Sequence, residues 1–193
     1  IKRGLIPTFL AAVIISVTAL LAPINTVHAK NTFVFANASP YDTMDPQVVF
    51  DVGRVSYRLN LYDGLLRWLD NPPKLNPWLA ESYDISSDGK QYTFTLRANA
   101  KFHDGSPVEA KDVAYSIDRI LALKKGASSL FVKVIKPGST KAIDNRTVQF
   151  NLNKSSAIFL ATVPEIHVMN SDLMKKHEKD GDWASAWVSK NDA

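Results

Sequence analysis

The chain has 193 residues, no cysteine and a formal net charge of +4 at neutral pH. Lys2 and Arg3 supply two of the excess positive charges, and residues 1–29 contain no acidic residue, so the rest of the chain is close to neutral. This balance indicates neither nucleic acid nor an acidic surface as a partner. Without cysteine, the chain must be held together by core packing rather than by disulfides.

Residues 1–29 have the pattern of a secretory signal peptide. A short basic start precedes an apolar run from Leu5 to Leu21, and Val27-His28-Ala29 offers small residues where a signal peptidase cleaves. A permanent membrane anchor is the alternative, although the run is near the short limit for spanning a bilayer. We expect export across a membrane and cleavage after Ala29.

The first elements after this segment are a strand, a loop and a helix. Thr32 to Ala36 has the apolar pattern of a buried strand. Thr43-Met44-Asp45-Pro46 predicts a loop, because the residue before a proline avoids helical geometry. Apolar residues at helical spacing from Val52 to Leu66 predict a helix, which we expect Gly64 to end in a left-handed conformation.

A hairpin, a turn and an amphipathic helix are predicted between Leu75 and Ile120. Asp88-Gly89 predicts a two-residue hairpin turn, since both residues tolerate positive φ. A second turn is expected at Phe102-His103-Asp104-Gly105. Apolar residues recur at strand spacing and then at helical spacing: Tyr92, Phe94 and Leu96, followed by Val113, Ile117, Ile120 and Leu121.

The last part of the chain also alternates short strands and helices. Together with the hairpins, this order predicts a mixed α+β fold rather than a regular βαβ alternation. The predicted elements are a strand at Val132–Lys136, a hairpin at Ala142–Leu152 turning at Asp144-Asn145, a helix at Ala157–Val163, and a polar helix from Asn170 or Ser171 to about Lys179.

No motif for bond-making chemistry occurs in the sequence. It contains no glycine-flanked nucleophilic serine, phosphate-binding glycine loop or zinc-protease helix. His103 beside Asp104 could be a base with its orienting carboxylate, but adjacent residues rarely point at one target, and Asp104-Gly105 fits a turn. A metal site would need ligands from different elements to converge; the candidates are His167, Asp172 and His177.

Two further groups of residues have ordinary structural interpretations. Asp42, Asp45 and Asp51 lie near one loop, where solvent-exposed turn carboxylates are expected. Trp68, Trp78 and Tyr83 fall near strand ends and could either pack in a core or wall a binding cleft. The sequence leaves both roles open for these aromatic residues.

A dense set of spaced residues resembles the N-terminal part of the family 5 extracellular solute-binding proteins. The set comprises Leu79-Ala80-Glu81-Ser82-Tyr83, Ser87-Asp88-Gly89, Tyr92-Thr93-Phe94-Thr95-Leu96-Arg97, Lys101-Phe102-His103-Asp104-Gly105-Ser106-Pro107 and Ala110-Lys111-Asp112-Val113-Ala114-Tyr115-Ser116. This family includes the periplasmic oligopeptide-, dipeptide- and nickel-binding receptors of ABC importers. Two departures from the family pattern are Asn99-Ala100 and the helix-capping position, which is Glu109 here.

The resemblance implies a periplasmic binding-protein-like fold of two lobes, enlarged with an extra subdomain. It implies that this chain represents only part of the first lobe and lacks the second. Residues 30–50 and 170–193 would belong to the lobe that holds both termini, and residues 51–169 would form the inserted α+β subdomain.

The resemblance also implies a function. The complete protein would be a periplasmic monomer that captures a peptide or similar small solute between its lobes and delivers it to an ABC permease in the inner membrane. No catalysis, cofactor, metal or nucleic acid is implied. A nickel-chelate or other small-solute receptor of the same family is an alternative, and a periplasmic hydrolase using His103 is the alternative from another class.

Three loops of the first lobe are implied to meet the ligand. Phe50-Asp51-Val52 occupies the region where peptide-binding relatives run hydrogen bonds along an extended peptide, and Ser129 and Phe131 fall where relatives present an aromatic side chain. Pro164-Glu165 lies where nickel-binding relatives use an arginine, and no arginine stands there in this chain. Ordinary surface loops are the alternative interpretation of each.

Overall fold

A computed structural model describes residues 42–191 of the chain. The predicted signal peptide and the strand predicted at Thr32–Ala36 lie outside this range. The helices are α1 (Val55–Leu61), α2 (Ala110–Leu123), α3 (Phe159–Thr162), α4 (Ser171–His177) and α5 (Ser185–Val188), with 3₁₀ turns at Val52–Arg54, Gly126–Leu130 and Val163–Glu165. The strands are β1 (Leu66–Leu69), β2 (Lys74–Pro77), β3 (Ala80–Ile85), β4 (Gln91–Leu96), β5 (Lys141–Ala142) and β6 (Thr147–Asn151).

Two antiparallel sheets organise the described residues. Strands β1 and β2 form a hairpin of their own, and the larger sheet has the order β3-β4-β6-β5. In its register, Phe94 of β4 lies between Tyr83 of β3 and Val148 of β6. This mixture of helices and antiparallel hairpins confirms the predicted α+β class.

The hairpin between β3 and β4 turns where the sequence predicts it, but with a longer loop. Ser86 N–H donates to the carbonyl of Gln91 at 3.0 Å, so residues 87–90 form the loop instead of Asp88-Gly89 alone. Gly89 has a φ of +64°, as the turn prediction requires. The side-chain oxygen of Asp88 accepts from Ser86 Oγ and Lys90 N–H, which closes the longer turn.

Helix α2 covers the larger sheet and contacts β5 and β6. Its apolar face meets the inward side chains of the central strands, including Phe94 and Phe150, whose rings cross at 82° with centroids 5.6 Å apart. Glu109 is the N-cap, and its N–H donates to Asp112 Oδ2 at 2.8 Å. Asp112 therefore compensates for the weak capping residue. The alternating and helically spaced residues named above are all buried here.

The region predicted as one helix from Val52 to Leu66 is divided between two kinds of structure. Helix α1 ends at Leu61, Tyr62 is extended, and Leu66 begins strand β1. Gly64 is not in the left-handed region, so the predicted reason for it is wrong. A Cβ at Gly64 would lie 2.8 Å from the carbonyl oxygen of Pro164, so this glycine permits a close approach of two backbones.

The predicted strand at Val132–Lys136 is also wrong. The chain turns after the 3₁₀ segment Gly126–Leu130, and only Ile135 forms a single bridge, to Leu152. The N–H groups of Val134 and Ile135 both donate to the carbonyl of Phe131. These are hydrogen bonds of turns and not the hydrogen bonds between neighbouring strands of a sheet. Val134 and Ile135 are buried although they lie in turns, whereas Val132 is exposed, so the apolar composition alone did not distinguish a strand from turns.

Helices α3 and α4 are shorter than the helices predicted from the sequence. Helix α4 begins after Asn170, whose side chain accepts from Leu173 N–H, and it ends at His177 rather than near Lys179. Helix α3 ends at Thr162 and continues through Pro164 as a 3₁₀ turn. Within residues 42–191, no helix is both long and apolar enough to cross a membrane.

Candidate ligand-binding surface

Exposed apolar side chains cluster around the start of α1. Phe50 exposes 50% and Val52 88% of their surface, and Leu59 and Trp68 are also exposed. One depression of about 240 Å³ is lined by Phe50, Asp51, Val52, Val55 and Arg58. A second depression of about 210 Å³ is lined by Val55, Leu59, Tyr62, Asp63, Gly64, Leu66, Arg67, Trp68, Pro164, Glu165 and His167. Val55 lies in both, so the two depressions adjoin.

Asp51 shapes the loop that presents these side chains. Its Oδ1 accepts from Arg54 N–H at 3.0 Å and so caps the 3₁₀ turn Val52–Arg54. The Arg54 guanidinium lies 2.9 Å from Asp42 and 3.5 Å from the second Asp51 oxygen. The Asp51 carboxylate is therefore committed to the turn in which the exposed Val52 lies.

A partly buried ion pair links the two depressions. Arg58 of α1 donates to Glu165 at 2.8 Å, and the Arg58 guanidinium carbon lies 5.9 Å from the centre of the Phe50 ring. The sequence shows no arginine at positions 164–165, but the structure brings Arg58 there from a distant part of the chain. The pair lowers the net charge beside the apolar surface.

His167 lies behind the second depression and is neutral. Burial, together with the positive charge of Arg58, lowers the pKa of His167 to about 3. Its Nδ1 lies 3.3 Å from the carbonyl oxygen of Glu165, and its Nε2 has no hydrogen-bond partner among residues 42–191. A neutral imidazole at this depth is part of the wall and not a charge available to a ligand.

The two residues predicted for the second ligand loop, Ser129 and Phe131, differ in their exposure. Ser129 is exposed within the 3₁₀ segment, whereas Phe131 is fully buried (0% exposed) in the core. The start of this loop touches the first one, because a Cβ at Gly126 would lie 2.4 Å from the carbonyl oxygen of Gln47. The two predicted loops therefore meet at the segment that precedes Phe50.

That segment is fixed by a buried ion pair that the sequence did not predict. Asp45 and Arg119 have fully buried side chains, with Arg119 Nη2 2.6 Å from Asp45 Oδ2 and Arg119 Nη1 3.0 Å from Asp45 Oδ1. The expectation that Asp45 is a solvated turn carboxylate is therefore wrong. Arg119 shares a side of α2 with Asp112 and Ser116, not with Val113 and Ile117, so the apolar spacing of the helix gave no signal for its burial.

The candidate catalytic and metal-binding residues have other contacts. His103 is exposed, and Asp104 accepts hydrogen bonds from Ser106 and Asn170, which hold the pKa of Asp104 below its ordinary value. Asp172 pairs with Lys111 at 2.8 Å, and His177 stacks on Trp187 with ring centres 4.1 Å apart. Among residues 42–191 there is no group of three metal-ligating side chains.

Trp68, Trp78 and Tyr83, for which the sequence left both a core and a binding role open, lie partly at the surface and partly in the core. Trp68 is exposed at the second depression. Tyr83 packs on Phe94 with ring centres 5.6 Å apart. Trp78 donates from its indole nitrogen to Asp63 at 2.6 Å and lies 4.7 Å from the Arg67 guanidinium, so it braces the surface beside the β1–β2 hairpin.

Comparison with known proteins places the chain in a family. Residues 74–191 match the bacterial extracellular solute-binding proteins, family 5 Middle. The chain belongs to this family. The expected family is therefore confirmed over most of the described residues.

Relatives of this family 5 chain are binding proteins. It is 33% identical over 170 residues to an Escherichia coli K12 protein named as a probable D,D-dipeptide-binding periplasmic protein, covering 85% of this chain and 32% of that one. It is 32% identical over 167 residues to the glutathione-binding protein of the same strain, covering 84% and 31%. The substrate-binding domain of a Bacillus anthracis oligopeptide ABC transporter superposes with a TM-score of 0.65 at 30% identity, covering 78% and 32%.

The family 5 chain thus spans about a third of the length of these relatives. The structural match confirms the periplasmic binding-protein-like fold class for the part described. The division into residues 30–50 and 170–193 against 51–169 stays a prediction.

Proposed function

We propose that this family 5 chain is part of a periplasmic receptor for a peptide or similar small solute. The complete protein is a monomer that encloses its ligand between two lobes and then delivers it to an ABC permease in the inner membrane. Residues 1–29 direct its export and are removed after Ala29. The receptor needs no cofactor and performs no chemistry on the ligand.

The observation that carries the proposal is the apolar surface around the two adjoining depressions. Phe50 and Val52 are too exposed to stabilise the described part of the chain, and together with Leu59 and Trp68 they form one patch. Exposed apolar patches that adjoin concave surfaces are typical of binding sites. The relatives described above carry names of binding proteins, which favours a ligand over a catalytic substrate.

In this proposal, Phe50, Asp51 and Val52 contact the ligand directly, and Ser129 contacts it from the second loop. Phe50 and Val52 offer apolar contact, while the backbone of this loop and the hydroxyl of Ser129 offer hydrogen bonds to a peptide. Phe131 acts differently from the other four, because its side chain is buried and anchors the Ser129 loop to the core.

Isothermal titration calorimetry on the complete protein that contains this chain tests the proposal. Dipeptides, tripeptides including glutathione, and a nickel–histidine chelate should be titrated separately. Saturable binding of one peptide class supports the proposal, and binding of the nickel chelate alone would replace the peptide with the alternative ligand. Binding of no solute would contradict the receptor function.

The hydrolase alternative is tested by replacing His103 with Ala. Under the receptor proposal, ligand affinity in this variant stays within about twofold of the wild type, since His103 lies on an exposed turn. Peptide turnover by the wild-type protein that disappears in the His103→Ala variant would support the hydrolase instead.

A further inference from the structure

The segment before Phe50 is held from three sides by buried contacts. Arg119 uses four of its five N–H groups: Nε donates to the carbonyl of Trp183 at 2.8 Å, and the others donate to Asp45 and Gln47. The guanidinium is therefore oriented completely by protein groups. A bidentate pair of this kind fixes direction as well as distance.

Gln47 extends this network away from the ion pair. Its Oε1 accepts from Arg119 at 3.0 Å, its Nε2 donates to the carbonyl of His167 at 2.8 Å, and its backbone N–H donates to Asp45 Oδ1 at 3.0 Å. Glu165, which pairs with Arg58 at the wall between the depressions, is two residues before His167. Gln47 thus links the Asp45 loop to the segment that forms that wall.

The third contact is made by the loop that carries Ser129. Gly126 has a φ of +52°, and its Cα is so close to Gln47 and Val48 that an added Cβ would lie 2.4 Å from the Gln47 carbonyl oxygen. Phe50 follows Val48 by two residues, and Ser129 follows Gly126 by three. Both proposed ligand loops therefore begin at one fixed point.

We infer that Arg119 is a positioning residue for the ligand surface, acting through Asp45 and Gln47 to hold the Phe50–Val52 and Ser129 loops in a fixed relation. The inference rests on the proposed function. Arg119 itself is buried on α2 and contacts no ligand. Its effect is transmitted by Gln47, whose backbone packs on Gly126 and whose side chain reaches His167.

A buried ion pair need not be the most stable solution at this position. Replacing both partners of such a pair with apolar residues of similar volume often preserves stability, whereas the geometry that the charges impose is lost. The double variant Arg119→Met with Asp45→Leu therefore separates positioning from stability. The matched control is Arg146→Met with Glu81→Leu, which removes an exposed ion pair of 2.8 Å on the larger sheet together with two hydrogen bonds from Arg146 to the Leu96 carbonyl.

The distance between the two loops can be measured without any ligand. Residues 1–193 contain no cysteine, so Val52→Cys and Ser129→Cys provide two spin-label attachment sites within this chain. Any cysteine elsewhere in the complete protein is first replaced with serine. Pulsed electron resonance then reports the distribution of distances between the loops. We expect a narrow distribution in the parent and in the control, and a broadened or shifted one in the Arg119→Met, Asp45→Leu variant at unchanged near-ultraviolet circular dichroism.

Ligand affinity is the second readout. It is measured in the parent, in the double variant and in the control, each without the two cysteine substitutions and their labels. We expect at least a tenfold loss in the Arg119→Met, Asp45→Leu variant and a change of less than twofold in the control. An unchanged distance distribution in a folded double variant would overturn the inference. If the parent binds no solute, the proposed function fails, while the distance measurement still decides whether Arg119 holds the loops.

Gln47→Met decides the question should the double variant not fold. This substitution keeps the Arg119–Asp45 pair and removes the two side-chain hydrogen bonds of Gln47, to Arg119 and to the His167 carbonyl. A broadened distance distribution supports the inference, and a distribution identical to that of the parent overturns it.

Discussion

Arg119 and Asp45, 74 residues apart in sequence, form a bidentate ion pair in which neither side chain exposes any surface. Water cannot replace a lost partner at this depth. The pair joins helix α2 to the loop at Met44-Asp45-Pro46. We infer that the geometry of the proposed ligand surface depends on this long-range contact.

Removing one charge of this pair should be far more damaging than removing both. We expect Arg119→Met alone to lower the free energy of unfolding by about 3–5 kcal/mol, because Asp45 is left as an uncompensated buried charge. Urea denaturation of the complete protein, followed by tryptophan fluorescence, measures this loss. The control Lys111→Met, which breaks the partly exposed pairs with Asp172 and Glu109, should cost less than about 1 kcal/mol. Equal losses in the two variants would show that the Arg119 pair is not energetically special.

Gly126 should tolerate no side chain. In Gly126→Ala the new methyl group meets the Gln47 carbonyl and the backbone has positive φ, so we expect a loss of more than about 1 kcal/mol. Gly138 is the matched control, since it has a φ of +73° and no atom within 4 Å of an added Cβ. Gly138→Ala therefore reports the backbone cost alone. Thermal denaturation that gives the same loss for both variants would contradict the close contact at Gln47.

His167 should make the protein less stable in acid. Its folded-state pKa of about 3 lies below the unfolded value of about 6.5, so the unfolded chain binds a proton that the folded chain does not. The contribution is fully present above pH 6.5 and is lost as the pH falls toward 3. Between those values it amounts to about 1.4 kcal/mol per pH unit.

The measurement is the free energy of unfolding in urea at pH 7 and at pH 4.5. The difference between the two pH values is compared for the wild type and for a variant without the His167 imidazole. His167→Phe keeps a ring against Tyr62 and should show a smaller fall in stability with acid than the wild type does. His103→Asn, on an exposed turn, serves as the control and should retain the wild-type dependence. A fall of the same size in the His167→Phe variant would show that this histidine is protonated in the folded state.

Local patterns in the sequence predicted much of the fold. Alternation at Tyr92, Phe94 and Leu96 indicated β4 because a strand buried on one face repeats every two residues. The helical spacing from Val113 to Leu121 indicated α2 for the equivalent reason. In both cases a single neighbouring layer, the sheet or the helix, decides which residues are buried.

The parts that could not be predicted depend on contacts between distant segments. Asp45 resembles any turn carboxylate until Arg119 is placed beside it, and Gly64 resembles a helix terminator until Pro164 approaches it. Val132–Lys136 has the composition of a strand, but within residues 42–191 no strand pairs with more than one of its residues. Tertiary contacts of this kind override local preference.

In the proposed ligand surface, too, some features could be expected from the sequence and others depend on contacts between distant segments. The resemblance to family 5 indicated the loop at Phe50-Asp51-Val52 from its position in the chain, and the structure shows an exposed apolar patch there. The burial of Phe131 was not apparent, because a phenylalanine in a short polar loop can face either way. Arg58, which supplies the positive charge next to Glu165, lies 107 residues away in sequence.

Ligand titration of a Phe50 variant tests the central claim most directly. Phe50→Ala should weaken binding of the peptide that the complete protein prefers by about tenfold, or about 1.4 kcal/mol, since the ligand would cover the exposed half of the ring. Ile143→Ala removes a similarly exposed apolar side chain on the β5–β6 turn and should leave the affinity unchanged. A tenfold loss confined to Phe50→Ala is the predicted result, and equal affinities for the two variants and the wild type would contradict the account.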